Sequence, residues 1–296
     1  MKIVLKNADF SNVKIGEELV LDDDVQKYID ATGSTYASAI NTFVNSLKTN
    51  NLYELFDRIY IPANGASSFN MAFVNLKTAT TDAETTATDN FIVSGKGCNM
   101  ENLSAQIKLG KSYNSTNIHV VLGLTDSVSS NNNIAKTNAL MWIGGISNDQ
   151  YFKGFAVGLW AYKNLTSACG NNYSEFSQMN SSSNSPVQLM SFAKEKPQVG
   201  QCGRNGADNV YYYTDNLGGG IEDNYTSKDL VTEVSSVTGD LCLGSKTNAN
   251  SPEDSYPFGQ NITFGLIMTA KQAISDEGKL STLQTICKAL LSSLSL

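Results

Sequence analysis

Between Thr35 and Ile61 the apolar positions keep a helical period. Ile40, Phe43, Val44 and Leu47 stand at i, i+3, i+4 and i+7, one stripe down one side of a helix. Leu52, Leu55, Phe56 and Ile59 restart that spacing after Thr49-Asn50-Asn51. The break holds short polar side chains that cap and turn. Asn51, with Glu54 three positions on, has the order of a capping box. Pro62 ends the second stripe, because proline cannot continue a helix. The spacing predicts two short helices in tandem, and such a pair is first of all a packing element on a core.

After Pro62 the period shortens to two. Asn64-Gly65 is a turn signal. Residues 68–76 alternate, with a change of face at Phe73-Val74 that predicts a strand carrying a bulge. Thr78 to Asp89 is Thr-rich and acidic and reads as a loop, as does Asp126 to Asn133. Ala105 to Leu109 is a half-buried strand and Ile118 to Leu122 a more buried one. Leu140–Ile143 and Phe155–Tyr162 are apolar runs bounded by Gly, as central strands are. Val210–Thr214 and Ile262–Met268 are further strands, Leu217 to Gly220 a turn, and Leu241–Gly244 a strand leading into a hairpin near Asn248. Cys169 to Pro186 is Asn/Ser-rich and aperiodic. Ser275-Asp276-Glu277 opens a last helix, with a capping side chain and acids in its first turn. Leu280, Leu283, Ile286, Cys287, Leu290 and Leu291 form its apolar face. Many short strands separated by turns predict a mainly β sandwich or jelly roll rather than alternating β and α units.

Residues 1–33 read as a leader and 34–296 as the helix pair plus the β domain. Lys2–Leu5 is a candidate strand, and Asp22-Asp23-Asp24 with Val25, Tyr28 and Ile29 one or two helical turns. The leader carries Ile3, Leu5, Phe10, Val13 and Leu19, more apolar material than a disordered tail holds. It is therefore expected either to add a strand to its own sheet or to act as an anchor arm that docks on another subunit, with Gly33 near the boundary.

Composition narrows the function classes. The 296 residues suffice for one large β domain, and only 17% are charged. A net charge of −7 without Lys/Arg runs excludes a phosphate-backbone binder, so no nucleic acid partner is expected. No apolar run approaches a membrane span, and the N-terminus lacks the apolar core of a signal peptide. The five cysteines, Cys98, Cys169, Cys202, Cys242 and Cys287, form no CxxC pair and read as reduced and mostly buried.

Candidate chemistry is sparse. Residues 105–112 approach the P-loop pattern, but the loop positions alternate like a strand and turn residues follow where a helix is required. The one histidine, His119, lies within an apolar strand, which excludes a multi-histidine metal site and favours a structural role. The acidic pairs Asp82/Glu84, Glu222/Asp223 and Glu253/Asp254 lie in loop-like composition and read as solvated acids. None has the alternate-residue spacing that puts two carboxylates on one strand face. No enzyme, metal or cofactor is expected. Trp142, Tyr211 and Tyr213 are the candidate carbohydrate-stacking residues.

The order of features resembles appendage proteins of phages and prophages of Bacteroides-type bacteria. The resemblance rests on the leader at Lys2–Ser11, the helical pair at Ile40–Lys48 and Leu52–Pro62, the segment Phe69–Lys77, and the terminal strand and helix at Phe264–Met268 and Ile274–Leu291. It covers about a third of the chain, at the two ends. It implies a concanavalin A-like (laminin G-like) jelly roll with a helical N-terminal portion and a C-terminal helix. It also implies a virion structural protein, a head or tail fibre or decoration subunit made in the bacterial host cytoplasm. Expected partners are further copies of itself, as a homotrimer or homodimer, other virion proteins, and a cell-surface glycan. A lectin-like carbohydrate-binding module is the alternative, and a glycan-cleaving jelly-roll enzyme a more distant one.

Overall fold

The computed structural model describes residues 20–85, 91–99, 107–125, 199–206, 238–243 and 263–294 with their side chains. It describes the backbone alone of strands at 138–146, 151–162, 164–170, 173–174, 187–192, 209–215, 223–229, 246–248 and 251–256, and of residues 106, 198 and 244. The described elements are α1 (Asp23–Thr32), α2 (Ala37–Thr49), β1 (Arg58–Tyr60), α3 (Phe69–Ala72), β2 (Val74–Asn75), β3 (Thr80–Thr81), β4 (Ile92–Ser94), β5 (Gly97–Asn99), β6 (Gln106–Asn114), β7 (Asn117–Leu124), β8 (Asn138–Ile146) and β9 (Tyr151–Tyr162). They continue with β10 (Asn164–Gly170), β11 (Tyr173–Ser174), β12 (Val187–Phe192), β13 (Gln198–Asn205), β14 (Asn209–Asp215), β15 (Asp223–Asp229), β16 (Thr238–Gly244), β17 (Lys246–Asn248), β18 (Ser251–Tyr256), β19 (Thr263–Ala270) and α4 (Glu277–Ser293).

The strands form a curled antiparallel jelly roll with two sectors. One runs β3-β2-β1-β19-β7-β13-β14-β15, with the β4-β5 hairpin on β19 beyond β1. The other runs β6-β16-β8-β9-β10-β12. The β6–β7 hairpin, paired at Asn114 and Asn117, joins the two. A single parallel contact, Asn248 with Ile146, places β17 beside β8.

Alternation along β7 and β19 sends side chains to two different cores. Ile118, Val120, Leu122, Leu124, Phe264 and Ile267 face the other sector and pack with Ile107, Leu109, Tyr113, Leu241 and Leu243. Val121, Leu266, Met268 and Ala270 face the opposite way, onto α1, α2 and α4, with Val199 of β13 beside them. The central sheet is thus covered on both faces. All eight residues of β19 are buried, so its sequence shows little of the polar alternation of a half-exposed strand.

The helical layer is assembled from both ends of the described chain. α2 forms as its stripe predicts, burying Ile40, Phe43, Val44 and Leu47. α4 buries Leu280, Leu283, Ile286, Cys287, Leu290 and Leu291, and Asp276 caps it by accepting from the Lys279 N–H at 2.8 Å. α1 is longer than the one or two turns expected. Asp22 caps its start, and Gly33 at φ 65° closes its end, the left-handed region that glycine enters without a Cβ penalty. Val25 and Tyr28 of α1 are fully buried in the core shared with α2 and α4. Residues 23–32 of the leader are therefore part of the folded body, and Gly33 is a helix cap within it.

Three expectations are corrected. The second helix does not form. Asn51 turns at φ 55°, residues Tyr53–Leu55 make one 3-10 turn, and the chain continues into β1. Leu52, Phe56 and Ile59 are still buried, because turn and strand bring them to the same core that a helix would have reached. Residues 68–76 are not a bulged strand either. Ser68 caps the single-turn α3 by accepting from the Met71 N–H at 3.4 Å, and only Val74–Asn75 pair. Phe69, Ala72 and Phe73 stand at i, i+3 and i+4, and all three are buried. The cysteines are not uniformly reduced: Cys98, Cys242 and Cys287 are free and buried, whereas Cys202 is disulfide-bonded. Wide sequence spacing hides such a bond, since sheet pairing and not spacing decides which thiols meet. The Cys169 side chain lies outside the described residues.

Candidate functional site

The expected carbohydrate-stacking residues are on different ladders. Trp142 stands on β8 opposite Cys242 of β16 and Ala156 of β9. Tyr211 and Tyr213 stand on β14 opposite Gly203 and Gln201 of β13. Strand pairing brings the two tyrosines into one row but does not bring Trp142 to them. Their side chains lie outside the described residues, as do Ile3, Leu5, Phe10, Val13 and Leu19 of the arm. Val20, ahead of α1, is 83% exposed. Asn41 of α2 holds the main chain there. Its Oδ1 accepts from the Asp22 N–H at 2.8 Å, and its Nδ2 donates to Val20 O at 3.3 Å.

The densest group of polar side chains among the described residues surrounds Arg58 on β1. Arg58 Nη1 donates to Asp57 at 2.9 Å, and its Nε lies 3.2 Å from Asp82 Oδ2. The Tyr60 hydroxyl donates to Asp82 at 2.5 Å, and Tyr113 donates to Asp57 and contacts Thr269 Oγ1 at 2.7 Å. Asn75 Nδ2 donates to Asp82 at 3.0 Å. Burial and then the neighbouring carboxylates raise the pKa of both tyrosines well above the usual phenol range, so both stay protonated donors. Burial opposes the charge of Arg58, but the oxygens of Tyr113, Tyr60 and Asp82 outweigh it and raise its pKa further. Asp82 is thus no solvated acid, which corrects the reading of the Asp82/Glu84 pair. Glu84 remains at the surface, 3.4 Å from Lys111. Of the other two acidic pairs, Glu222 lies outside the described residues, and Asp223, Glu253 and Asp254 are described by backbone alone.

This group joins strands: each carboxylate is engaged by a tyrosine and by the guanidinium. It ties β1 to β6, β19 and the β3 region. A side chain at Gly110 would put its Cβ 2.6 Å from Arg58 Cζ, so the glycine that makes residues 105–112 look like a P-loop is there to admit a guanidinium. The stretch is strand throughout, from Gln106 to Asn114. A second charged group pins α1 to the turn after α2. Lys48 Nζ bonds Asp22 and Asp24 at 2.8 Å each, and the Tyr53 ring lies between Lys48 and Lys77, each ammonium 4.7 Å from its centre. His119 is buried at 0% exposure, with its ring 6.2 Å from that of Phe56. Among the described residues no three His, Cys, Asp or Glu side chains converge as a metal site would require, and no helix is long and apolar enough to cross a membrane.

The class that the fold defines is a mainly β jelly roll with a helical layer. No protein-family model matches the chain, and no curated protein does. Solved structures with a similar course include tailspike protein 2 of bacteriophage CBA120, with 12% identity and a TM-score of 0.40 over 65% of this chain. The VIP36 exoplasmic/lumenal domain has 9% identity and a TM-score of 0.41 over 77% of this chain and 94% of its own. A pentraxin of Limulus polyphemus has 9% identity and a TM-score of 0.37 over 61% of this chain and 74% of its own. The chain spans 28% of the length of the tailspike chain it matches.

Proposed function

We propose that the protein is a phage virion structural protein, a head or tail fibre or decoration subunit that assembles through its N-terminal part. The observation that carries this reading is the helical layer. Its α2 and α4 come from segments on which the appendage resemblance rests, and Val20 ahead of α1 is exposed. A layer that closes one sheet face, preceded in sequence by an apolar leader, suits mounting in an assembly. Fibres are usually cyclic oligomers, so a homotrimer or homodimer is the proposed unit. Trp142, Tyr211 and Tyr213 are proposed to contact host glycans weakly, which suffices when many copies are displayed. The reading includes no catalytic step.

A chain beginning at Val20 tests the arm. It should keep the thermal transition of the full chain, because Val25 and Tyr28 are retained, and should lose oligomerisation or incorporation into particles. Immunogold labelling of phage particles in a producing culture tests the location. Labelled particles support the reading. Label confined to cells, with glycan binding by the monomer, would favour the lectin-like module instead.

A further inference from the structure

Cys202 of β13 is disulfide-bonded, and counting leaves one partner for it. The chain has five cysteines, of which Cys98, Cys242 and Cys287 are free. Within one chain only Cys169 remains. It stands on β10, which is described by its backbone alone.

Strand register points to the same residue independently. Cys202 is 0% exposed and lies in the core between the two sectors. It stands opposite Val120 of β7, which faces that core as well. In the second sector one cross-strand row runs from Ile107 of β6 through Leu243 of β16, Met141 of β8 and Val157 of β9 to Cys169 of β10. Residues directly opposite one another in a ladder share a sheet face. Ile107 and Leu243 both lie in the core between the sectors. The row therefore places Cys169 on the core side of the second sector. The free thiols are placed differently. Cys287 belongs to the helix-side core and Cys242 to neither core, while Cys98 shares the core of Cys202 and is still free.

We propose that Cys169 and Cys202 form a disulfide that bridges the two sectors and locks them together. The β6–β7 hairpin joins the sectors at β6, and β10 lies toward the other end of the β6-β16-β8-β9-β10-β12 ladder. The bridge thus ties the sheets on the side away from the hairpin. It also closes residues 169–202 into a loop, which removes freedom from the unfolded chain. Much of that loop is the Asn/Ser-rich, aperiodic stretch up to Pro186, whose sequence supplies little core of its own. The bond forms by exchange with a low-molecular-weight disulfide. One protein thiolate attacks it and expels a small thiolate, and the second attacks the mixed disulfide and expels the other. Two protein thiols are oxidised, the small disulfide is reduced to two thiols, and the two protons pass to the leaving thiolates. Because Cys202 is 0% exposed, a reductant should reach the closed bond only when the sectors part. The bridge does not depend on the role proposed above.

The test uses the untagged full chain, refolded with oxidised glutathione, alkylated under denaturing conditions and digested without reductant. Mass spectrometry should find one linked pair, Cys169 with Cys202, and alkyl groups on Cys98, Cys242 and Cys287. Denaturant melts with and without reductant then measure the lock. Reduction should raise the unfolding equilibrium constant about 30- to 1000-fold, and a Cys169→Ala chain should melt alike under both conditions. Alkyl groups on all the cysteines would overturn the pairing, as would Cys202 linked to any residue other than Cys169 of its own chain. Melts of the linked wild-type chain that reductant does not shift would overturn the lock. If the Cys169→Ala chain does not fold, the peptide map and the wild-type melts still decide.

Discussion

The two faces of the β19-β7-β13 sheet are equally buried and differently made. Toward the second sector the core is the richer in aromatic rings: Tyr60, Phe73, Tyr113 and Phe264 meet there among aliphatic side chains, and Phe69 stacks on Phe73 at 4.7 Å. Its two tyrosine hydroxyls reach the charged group around Arg58 at the rim. Toward the helices the core is mostly aliphatic, and Gly123 lets α4 approach: a Cβ there would lie 2.8 Å from both Leu291 Cδ1 and Leu266 Cβ. The aromatic face joins strands to strands, while the aliphatic face joins Val25 near one end of the described chain to Leu294 at the other. The strand-side core and the helix-side core share β7 and β19, so neither face can be stripped without exposing a strand buried on both sides.

That comparison fails or holds first on large truncations. Phe264→Ala on the aromatic face should cost about 3–5 kcal/mol, and Leu291→Ala on the helical face about 2–5 kcal/mol. Denaturant melts should give one transition for each variant. An effect of Leu291→Ala within about 0.5 kcal/mol would make the helical layer an accessory. Gly123→Ala overpacks the closest approach of α4 and should cost about 1–3 kcal/mol by the same melts. Tyr113→Phe strands Asp57 and Thr269 at the rim of the aromatic face, for about 1–3 kcal/mol. The smallest effect belongs to Asp24 on α1. Burial raises its pKa, but Lys48 and Tyr53 outweigh this and leave it lowered. Its contribution is present above the ordinary carboxylate pKa and lost as pH falls through the folded value. Asp24→Asn should cost under about 1 kcal/mol near neutral pH and nothing in strong acid, since a part-exposed pair is screened.

The jelly roll, α2, α4 and the strands at β6, β7 and β19 are legible because their apolar spacing reflects the core they face, and β14 is also a strand where its sequence predicts one. The segment after Asn51 is misleading for a physical reason. Leu52, Phe56 and Ile59 reach one core through a turn and a strand, and spacing alone does not distinguish that path from a helix. Residues 69–73 carry a helical triplet in a segment too short for periodicity to decide. The Arg58 group is illegible because Asp82 and Tyr113 come from segments remote from Asp57, Arg58 and Tyr60, and only the sheet brings them together. Gln201 and Gln284, both 0% exposed and hydrogen-bonded to each other at 2.8 Å, give no sequence signal at all, since a glutamine in a strand or helix ordinarily faces water.

The central claim is that the helical layer and the sheet are one cooperative body. Native-state hydrogen exchange on the full chain at pH 7.5 measures this directly. The account predicts that amides of α4 and of β7 and β19 open with the same free energy, equal to that of global unfolding. Exchange of α4 through a separate low-energy opening, with β7 and β19 still protected, would contradict it.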